Sequence, residues 1–173
     1  MNQIDRTPAR HPMKYIIGAA ALIFVIDQLT KWYVVFELGL QHRLFIEVFD
    51  PYLNFSMAWN TGVNFGLFGG GTDVMRWVLI AVALGISGWV WVWVRRDPRP
   101  GMLLSAGVLI GGALGNVVDR VLYGAVADFL NMSCCGLRNP FAFNVADVAI
   151  FAGAIGLAVF SGRADGAAGD KTP

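Results

Sequence analysis

Four apolar stretches dominate the pattern along the chain: residues 15–36, 74–94, 102–123 and 141–160. Each is long enough, or nearly so, to cross a hydrocarbon core that takes about 20 residues of helix. The second is interrupted only by Arg76 near its start. It carries Trp77 at one end and Trp89, Trp91 and Trp93 toward the other, the placement of an aromatic belt at a membrane–water boundary. Between the first two stretches, the connection Glu37–Asp73 is too apolar for a flexible linker. Its runs Leu44-Phe45-Ile46-Glu47-Val48-Phe49 and Leu53-Asn54-Phe55-Ser56-Met57 predict short strands or interface-bound segments. Asn60-Thr61-Gly62 and Gly69-Gly70-Gly71 mark turns, the second a candidate hinge. Arg95-Arg96-Asp97-Pro98-Arg99-Pro100 is a sharp stop that makes the second and third helices antiparallel neighbours.

The expected fold class is an all-α membrane protein with four transmembrane helices and a small β-containing segment on its outer surface. The expected organisation is a polar arm over residues 1–13, a membrane domain over 14–162 with its outer loop at 37–73, and a disordered tail over 163–173. No internal repeat is visible. Composition agrees: 56% of the 173 residues are hydrophobic, 14% are charged and mean hydropathy is +0.57, which excludes an ordinary soluble domain.

The first stretch has an alternative reading as a secretory leader, with Arg6, Arg10 and Lys14 ahead of the apolar Tyr15–Ile26. Asp27-Gln28-Leu29-Thr30-Lys31 stands where a small-x-small cleavage site belongs, so a spanning helix is expected. Arg6, Arg10 and Lys14 in the arm, Arg95, Arg96 and Arg99 in the second connection, and Arg163 and Lys171 in the tail outweigh Arg43 and Arg138 on the other side. The positive-inside bias then puts both termini in the cytoplasm. A net charge of +1 without a basic cluster gives no support for nucleic-acid binding. The adjacent Cys134 and Cys135 form no disulfide framework and no C-x-x-C, and His11 and His42 are isolated, so no metal site is expected.

The candidate chemistry lies in carboxylates placed in a poor solvent for charge. Asp27, Asp119 and Asp147 lie within or at the ends of apolar stretches, and Asp128 follows the third. An ionised side chain at a bilayer centre costs about 2.5–3.5 kcal/mol on insertion scales. With alternating helix directions, Asp27 and Lys31 fall in the outer half of helix one, and Asn116, Asp119 and Arg120 near the outer end of helix three. Asp128 lies just beyond, and Asn144 and Asp147 at the outer start of helix four. Separate segments thus bring their polar residues to one depth.

Each feature also has a plain structural reading. Asp27 and Lys31, spaced i, i+4, read as a structural or snorkelling ion pair. Asp119-Arg120 reads as an outer helix cap, with Arg120 alternatively pairing across the bundle. Gly111 and Gly115 form a small-xxx-small packing pattern, and Gly112, Asn116 and Arg120 share a stripe. Asp128 and Asp147 have no obvious local cation. Two readings stand side by side for them: helix capping, or a coupled acid pair in which one pKa must rise.

Five segments, in order, resemble those of the lipoprotein signal peptidases, the type II signal peptidases of bacteria. Asp27-Gln28-Leu29-Thr30-Lys31 resembles D-x-x-T-K, and Asn60-Thr61-Gly62-Val63-Asn64-Phe65-Gly66 resembles N-x-G-x-x-F-G. Gly115–Arg120 matches G-N-x-x-D-R, Val126–Phe129 matches V-x-D-F, and Phe143–Asp147 matches F-N-x-A-D. The match runs from about Met13 to Phe160. Val63-Asn64 departs from the alanine pair common after the loop glycine, and Cys134-Cys135 matches no motif.

The resemblance implies a membrane-embedded aspartic endopeptidase of the bacterial inner membrane, with its active site toward the periplasmic or outer face. It would cut diacylglyceryl-modified prolipoproteins just before the lipidated cysteine. Carried over, Asp128 and Asp147 are the catalytic pair. Asn60, Gly62, Asn116, Arg120 and Asn144 position substrate or the pair, Asp27 and Lys31 support its frame, and Asp119 and Ala146 belong to the same supporting set. The resemblance implies no cofactor and no metal. The partners are prolipoprotein substrates and membrane lipid, and a monomer suffices. Two other classes stand as alternatives. A proton-coupled transporter would spread its acids through the membrane thickness. A quinone-linked thiol oxidoreductase would need paired reactive cysteines in C-x-x-C form.

Overall fold

The computed structural model describes residues 12–62, 71–97, 99–136 and 139–165. Most of the expected arm, the end of the expected tail, loop residues 63–70 with Gly69 and Gly70, Pro98 and Arg138 lie outside the described residues. The elements are α1 (Pro12–Lys31), a π-helical turn (Trp32–Glu37), α2 (Leu40–Arg43), β1 (Phe45–Phe49), β2 (Leu53–Asn60), α3 (Gly71–Val94), α4 (Pro100–Tyr123), β3 (Val126–Asn131) and α5 (Val145–Asp165). Among the described residues, four helices are long and apolar enough to span a membrane: Met13–Glu37, Asp73–Val94, Pro100–Tyr123 and Val145–Gly162.

Helix α4 is the axis of the bundle, packed by α1, α3 and α5. Small residues make that close approach possible. A Cβ added at Gly107 would stand 2.5 Å from the Ile16 carbonyl oxygen, at Gly111 2.5 Å from that of Ala20, and at Gly112 2.5 Å from that of Ala146. The packing reading of Gly111 therefore holds. α1, α3 and α5 turn apolar side chains outward, with Leu22, Trp89 and Phe151 at least 60% exposed, as hydrocarbon solvent allows. Forcing a side chain between α1 and α4 should cost about 1–3 kcal/mol. Gly111→Val is expected to lower the thermal unfolding midpoint in detergent, whereas Gly88→Val, with nothing within 4 Å, leaves it unchanged.

The termini of the spans differ from the sequence-based expectation in instructive ways. Helix four, expected over 141–160, runs from Val145 to Asp165. Phe143 cannot join it because its N–H and C=O are bonded to Leu130 of β3, at 3.0 and 2.8 Å. Asn144 therefore precedes the helix rather than lying on it. Helix three starts two residues early because Pro100 suits the first helical turn, and it ends at Gly124 with φ +79°.

The outer segment is a three-stranded antiparallel sheet in the order β1-β2-β3. The expected strands in the long loop are β1 and β2; β3 was not anticipated. Its register pairs Ala58 with Asp128, Trp59 with Ala127 and Asn60 with Val126. Alternation then places Asn60 and Asp128 on one face and Trp59 and Ala127 on the other. The second face covers Val34, Val35 and Leu40, with Ala127 and Phe129 buried between. The sheet is thereby clamped to the end of the first span, and Asp128 faces away from that contact.

Candidate active site

Three buried charges set the frame. Lys31 Nζ lies 2.8 Å from Asp27 Oδ2 and 2.8 Å from Asp119 Oδ2, and donates to Asn116 Oδ1 at 3.1 Å. The ammonium thus hydrogen-bonds Asp27 and Asn116 and pairs by charge with Asp119. The other oxygen of Asp27 accepts from the Ala146 N–H at 2.9 Å, one of the orphan donors in the first turn of α5. Asp119 also accepts from Ala127 N of β3 at 3.2 Å and from Gln28 Nε2 at 3.0 Å. Asp119 is therefore no outer helix cap: it is 1% exposed and links α1, α4 and β3. A Cβ at Gly115 would stand 2.5 Å from Asp27 Oδ2, so that glycine makes room for the carboxylate. Gln28, which sequence reasoning passed over, donates to both acids; its signal was a polar side chain inside an apolar run.

From this frame a chain of asparagines reaches Asp128 and Asp147. Lys31 can only donate, so the Asn116 atom facing it must be oxygen, and Asn116 Nδ2 is left to donate to Asp147 Oδ1 at 2.9 Å. Asn144 caps α5: its Oδ1 accepts from Asp147 N at 2.9 Å, and Asp147 Oδ2 accepts from Asn144 N at 3.2 Å. This reciprocal pair is a capping box. It leaves Asn144 Nδ2 to donate to Asp128 Oδ1 at 2.6 Å. In the turn after β2, Gly62 N donates to Asn60 Oδ1 at 2.9 Å, which directs Asn60 Nδ2 to Asp128 Oδ2 at 3.0 Å. Every amide around the two acids is oriented by a group that permits only one orientation.

The two acids differ in surroundings. Asp128 is 3% exposed, whereas Asp147 is half-buried. Burial, and then the nearby Asp147 charge, push the Asp128 pKa up to about 6, against the hydrogen bonds of Asn60 and Asn144 and the Lys31 charge. Arg120 donates to the Asn116 carbonyl at 3.4 Å, and its charge acts first on Asp147, then on Asp128 and Asp119. Its buried Nε has no hydrogen-bond partner among the described residues. The expected residues are thus brought together, with Gly62 acting through Asn60 and Ala146 through its backbone N–H. The helix-capping reading of Asp147 is also realised, in the same side chain that faces Asn116. Cys134 and Cys135 are exposed free thiols with sulfurs 2.8 Å apart.

A family model described as signal peptidase (SPase) II matches residues 19–162. The chain belongs to the signal peptidase II family. A lipoprotein signal peptidase of Methylorubrum extorquens (strain PA1) is 42% identical over 152 residues, covering 84% of this chain and 85% of its own. One of Methylobacterium radiotolerans is 36% identical over 173 residues, covering 94% and 98%. A solved structure described as a bacterial membrane enzyme by the in meso method at 2.3 Å resolution superposes with a TM-score of 0.71 at 26% identity, covering 91% of this chain and 93% of that one. Four apolar helices in a member of this family make this signal peptidase a multi-pass protein of the bacterial inner membrane.

Proposed function

We propose that this signal peptidase is an aspartic endopeptidase that removes signal peptides from diacylglyceryl-modified prolipoproteins, cutting just before the lipidated cysteine. Asp128 and Asp147 are its catalytic pair. The observation that carries this reading is the placement of two acids from different elements on the one residue Asn144, with the Asp128 pKa pushed up to about 6. Such a pair holds one proton up to about pH 6. Asp128 keeps that proton and donates it to the scissile carbonyl, while Asp147, at the positive end of α5, takes a proton from water. The hydroxide adds to the carbonyl carbon. Asp147 then delivers the water proton to the departing amine, a hydroxyl of the tetrahedral intermediate returns its proton to Asp128 as the carbonyl re-forms, the C–N bond breaks, and the pair again holds one proton. Asn60, Asn116 and Asn144 hold the acids, and Arg120 moderates their combined charge.

Depth supports the substrate class. The site lies at the end of the bundle that carries the sheet, opposite the basic Arg95-Arg96 connection. With the basic connection in the cytoplasm, the acids face the outer side at headgroup level. Two acyl chains in the outer leaflet would present the cleavage bond at that level, where water is available.

The test is purified protein incubated with a diacylated prolipoprotein peptide and with the same peptide lacking lipid. Rapid cleavage before the lipidated cysteine of the first alone is expected; equal cleavage of both would overturn the lipid requirement. The pH profile is a further check. Loss of the Asp128 proton ends the productive state, so kcat/KM should fall above about pH 6, approaching tenfold per unit. That limb belongs to the pair. Asn60→Ala removes a hydrogen bond that favours the ionised form, so the limb should move to higher pH. The same raised pKa implies stability that is complete below pH 3.8 and lost as pH rises through about 6.

A further inference from the structure

Two carboxylates outside the proposed reaction hold the backbone beside the two acids inside it. Asp27 Oδ1 accepts from the N–H of Ala146, the residue before Asp147, at 2.9 Å. Asp119 Oδ2 accepts from the N–H of Ala127, the residue before Asp128, at 3.2 Å. The spacing of Asp27 and Asp119 therefore fixes where the start of α5 stands relative to β3. Lys31 Nζ lies between them, 2.8 Å from an oxygen of each.

Gln28 joins the same two carboxylates by a second route. Its Nε2 donates to Asp119 Oδ1 at 3.0 Å and to Asp27 Oδ2 at 3.2 Å, with a longer contact to the Gly115 carbonyl at 3.4 Å. Carbonyls and ionised carboxylates only accept, so the amide must turn its nitrogen to them. An ammonium acts as a point charge with rotatable donors, whereas the two N–H groups of a planar amide diverge at a fixed angle. Lys31 thus balances the charge, and Gln28 sets the geometry. Gln28 also lines a cavity of about 250 Å³, bordered by Trp32, Trp59 and Tyr123, so its hydrogen bonds rather than close packing hold it in place.

We infer, on the basis of the catalytic pair proposed above, that Gln28 is a positioning residue: by spanning Asp27 and Asp119 it sets, through the N–H groups of Ala146 and Ala127, the separation of Asp147 and Asp128. Two carboxylates repel as they ionise, so the elements that carry them drift apart once the span is lost.

Gln28→Met keeps the length of the side chain and removes both donors, and the cavity gives it room. Its kcat for the diacylated peptide should fall about 10- to 100-fold, the cost of displacing reacting groups by up to about 1 Å, with KM unchanged. The pH profile carries the sign. Asp128 is faced by Asp147 of α5, Lys31 of α1 and Arg120 of α4, and by the amides of Asn60 and Asn144. A wider gap weakens the push of Asp147 on Asp128, so the high-pH limb of kcat/KM should move to lower pH, opposite to the shift of Asn60→Ala. Gln28→Asn keeps an amide but is too short to span both acids, and it should shift the limb the same way. Hydrogen exchange in detergent micelles gives a readout apart from cleavage: the Ala127 and Ala146 amides should exchange faster in both variants. An unmoved limb, or unchanged exchange at both alanines, would overturn the role of Gln28. Thermal stability and rate falling together, with limb and exchange unmoved, would assign Gln28 to the fold alone. A natural enzyme without a limb near pH 6 would instead count against the catalytic pair, and the exchange rates would still decide whether Gln28 holds the two N–H groups.

Discussion

Asp128→Asn and Asp147→Asn are each expected to lower kcat for the diacylated peptide by about 10⁴-fold, the upper range for a positioned acid–base group. Each acid serves both the attack of water and the departure of the amine, so neither half of the reaction survives its loss. The carboxamides also disturb local bonding, and this must be separated from chemistry. Both oxygens of Asp128 accept from amide donors, Asn60 and Asn144, and both oxygens of Asp147 accept from N–H groups of Asn116 and Asn144. Asparagine at either position sets an NH₂ against one of these donors, at about 1–3 kcal/mol of stability. The folded fraction is therefore measured by thermal unfolding beside the rate. Asn60→Ala supplies the comparison: it removes a partner of Asp128 without removing an acid, and its rate should fall far less. A folded Asp128→Asn or Asp147→Asn enzyme that still cleaves at a tenth of the normal rate would refute the pair.

The four spans were legible because lipid demands long apolar helices, and hydropathy registers little else. The depth of the polar residues followed from alternating helix direction, which is why Asp27, Asp119 and Asp147 converge as expected. Rotation was not legible. Nothing in a single sequence says that Lys31 of α1 faces Asp119 of α4, and that ion pair turned an apparent helix cap into part of the buried frame. Strand β3 was missed for a different reason. Val126, Ala127, Asp128 and Phe129 are all buried, so the alternation that betrays a half-buried strand is absent. The start of α5 was placed too early because Phe141 and Phe143 are apolar. The Asn144–Asp147 spacing is itself a start signal of the capping-box kind, and it marks the boundary the structure adopts.

Lys31→Met is the substitution expected to cost the fold most. Methionine fills much of the same space but leaves Asp27 and Asp119, at 0% and 1% exposed, facing each other without a cation. Removing one partner of a buried ion pair typically costs about 3–5 kcal/mol, because the remaining charge cannot be hydrated. A fall of that size in unfolding free energy, read by denaturant titration in detergent micelles, is expected. Adding Asp119→Asn should recover part of it, because one carboxylate less is then stranded; sites in direct contact are not additive. The effect should also reach the candidate site. Lys31 is what obliges Asn116 to present oxygen inward and its amide to Asp147. Without the ammonium, only the longer donation from Asn144 Nδ2 at 3.3 Å still holds Asn116 Oδ1, so the Asn116 amide is held less firmly against Asp147 Oδ1. The double variant should thus regain stability faster than it regains cleavage, since Asp119→Asn restores charge balance but not the orientation of Asn116. Equal recovery of both would mean that Lys31 acts on the fold alone.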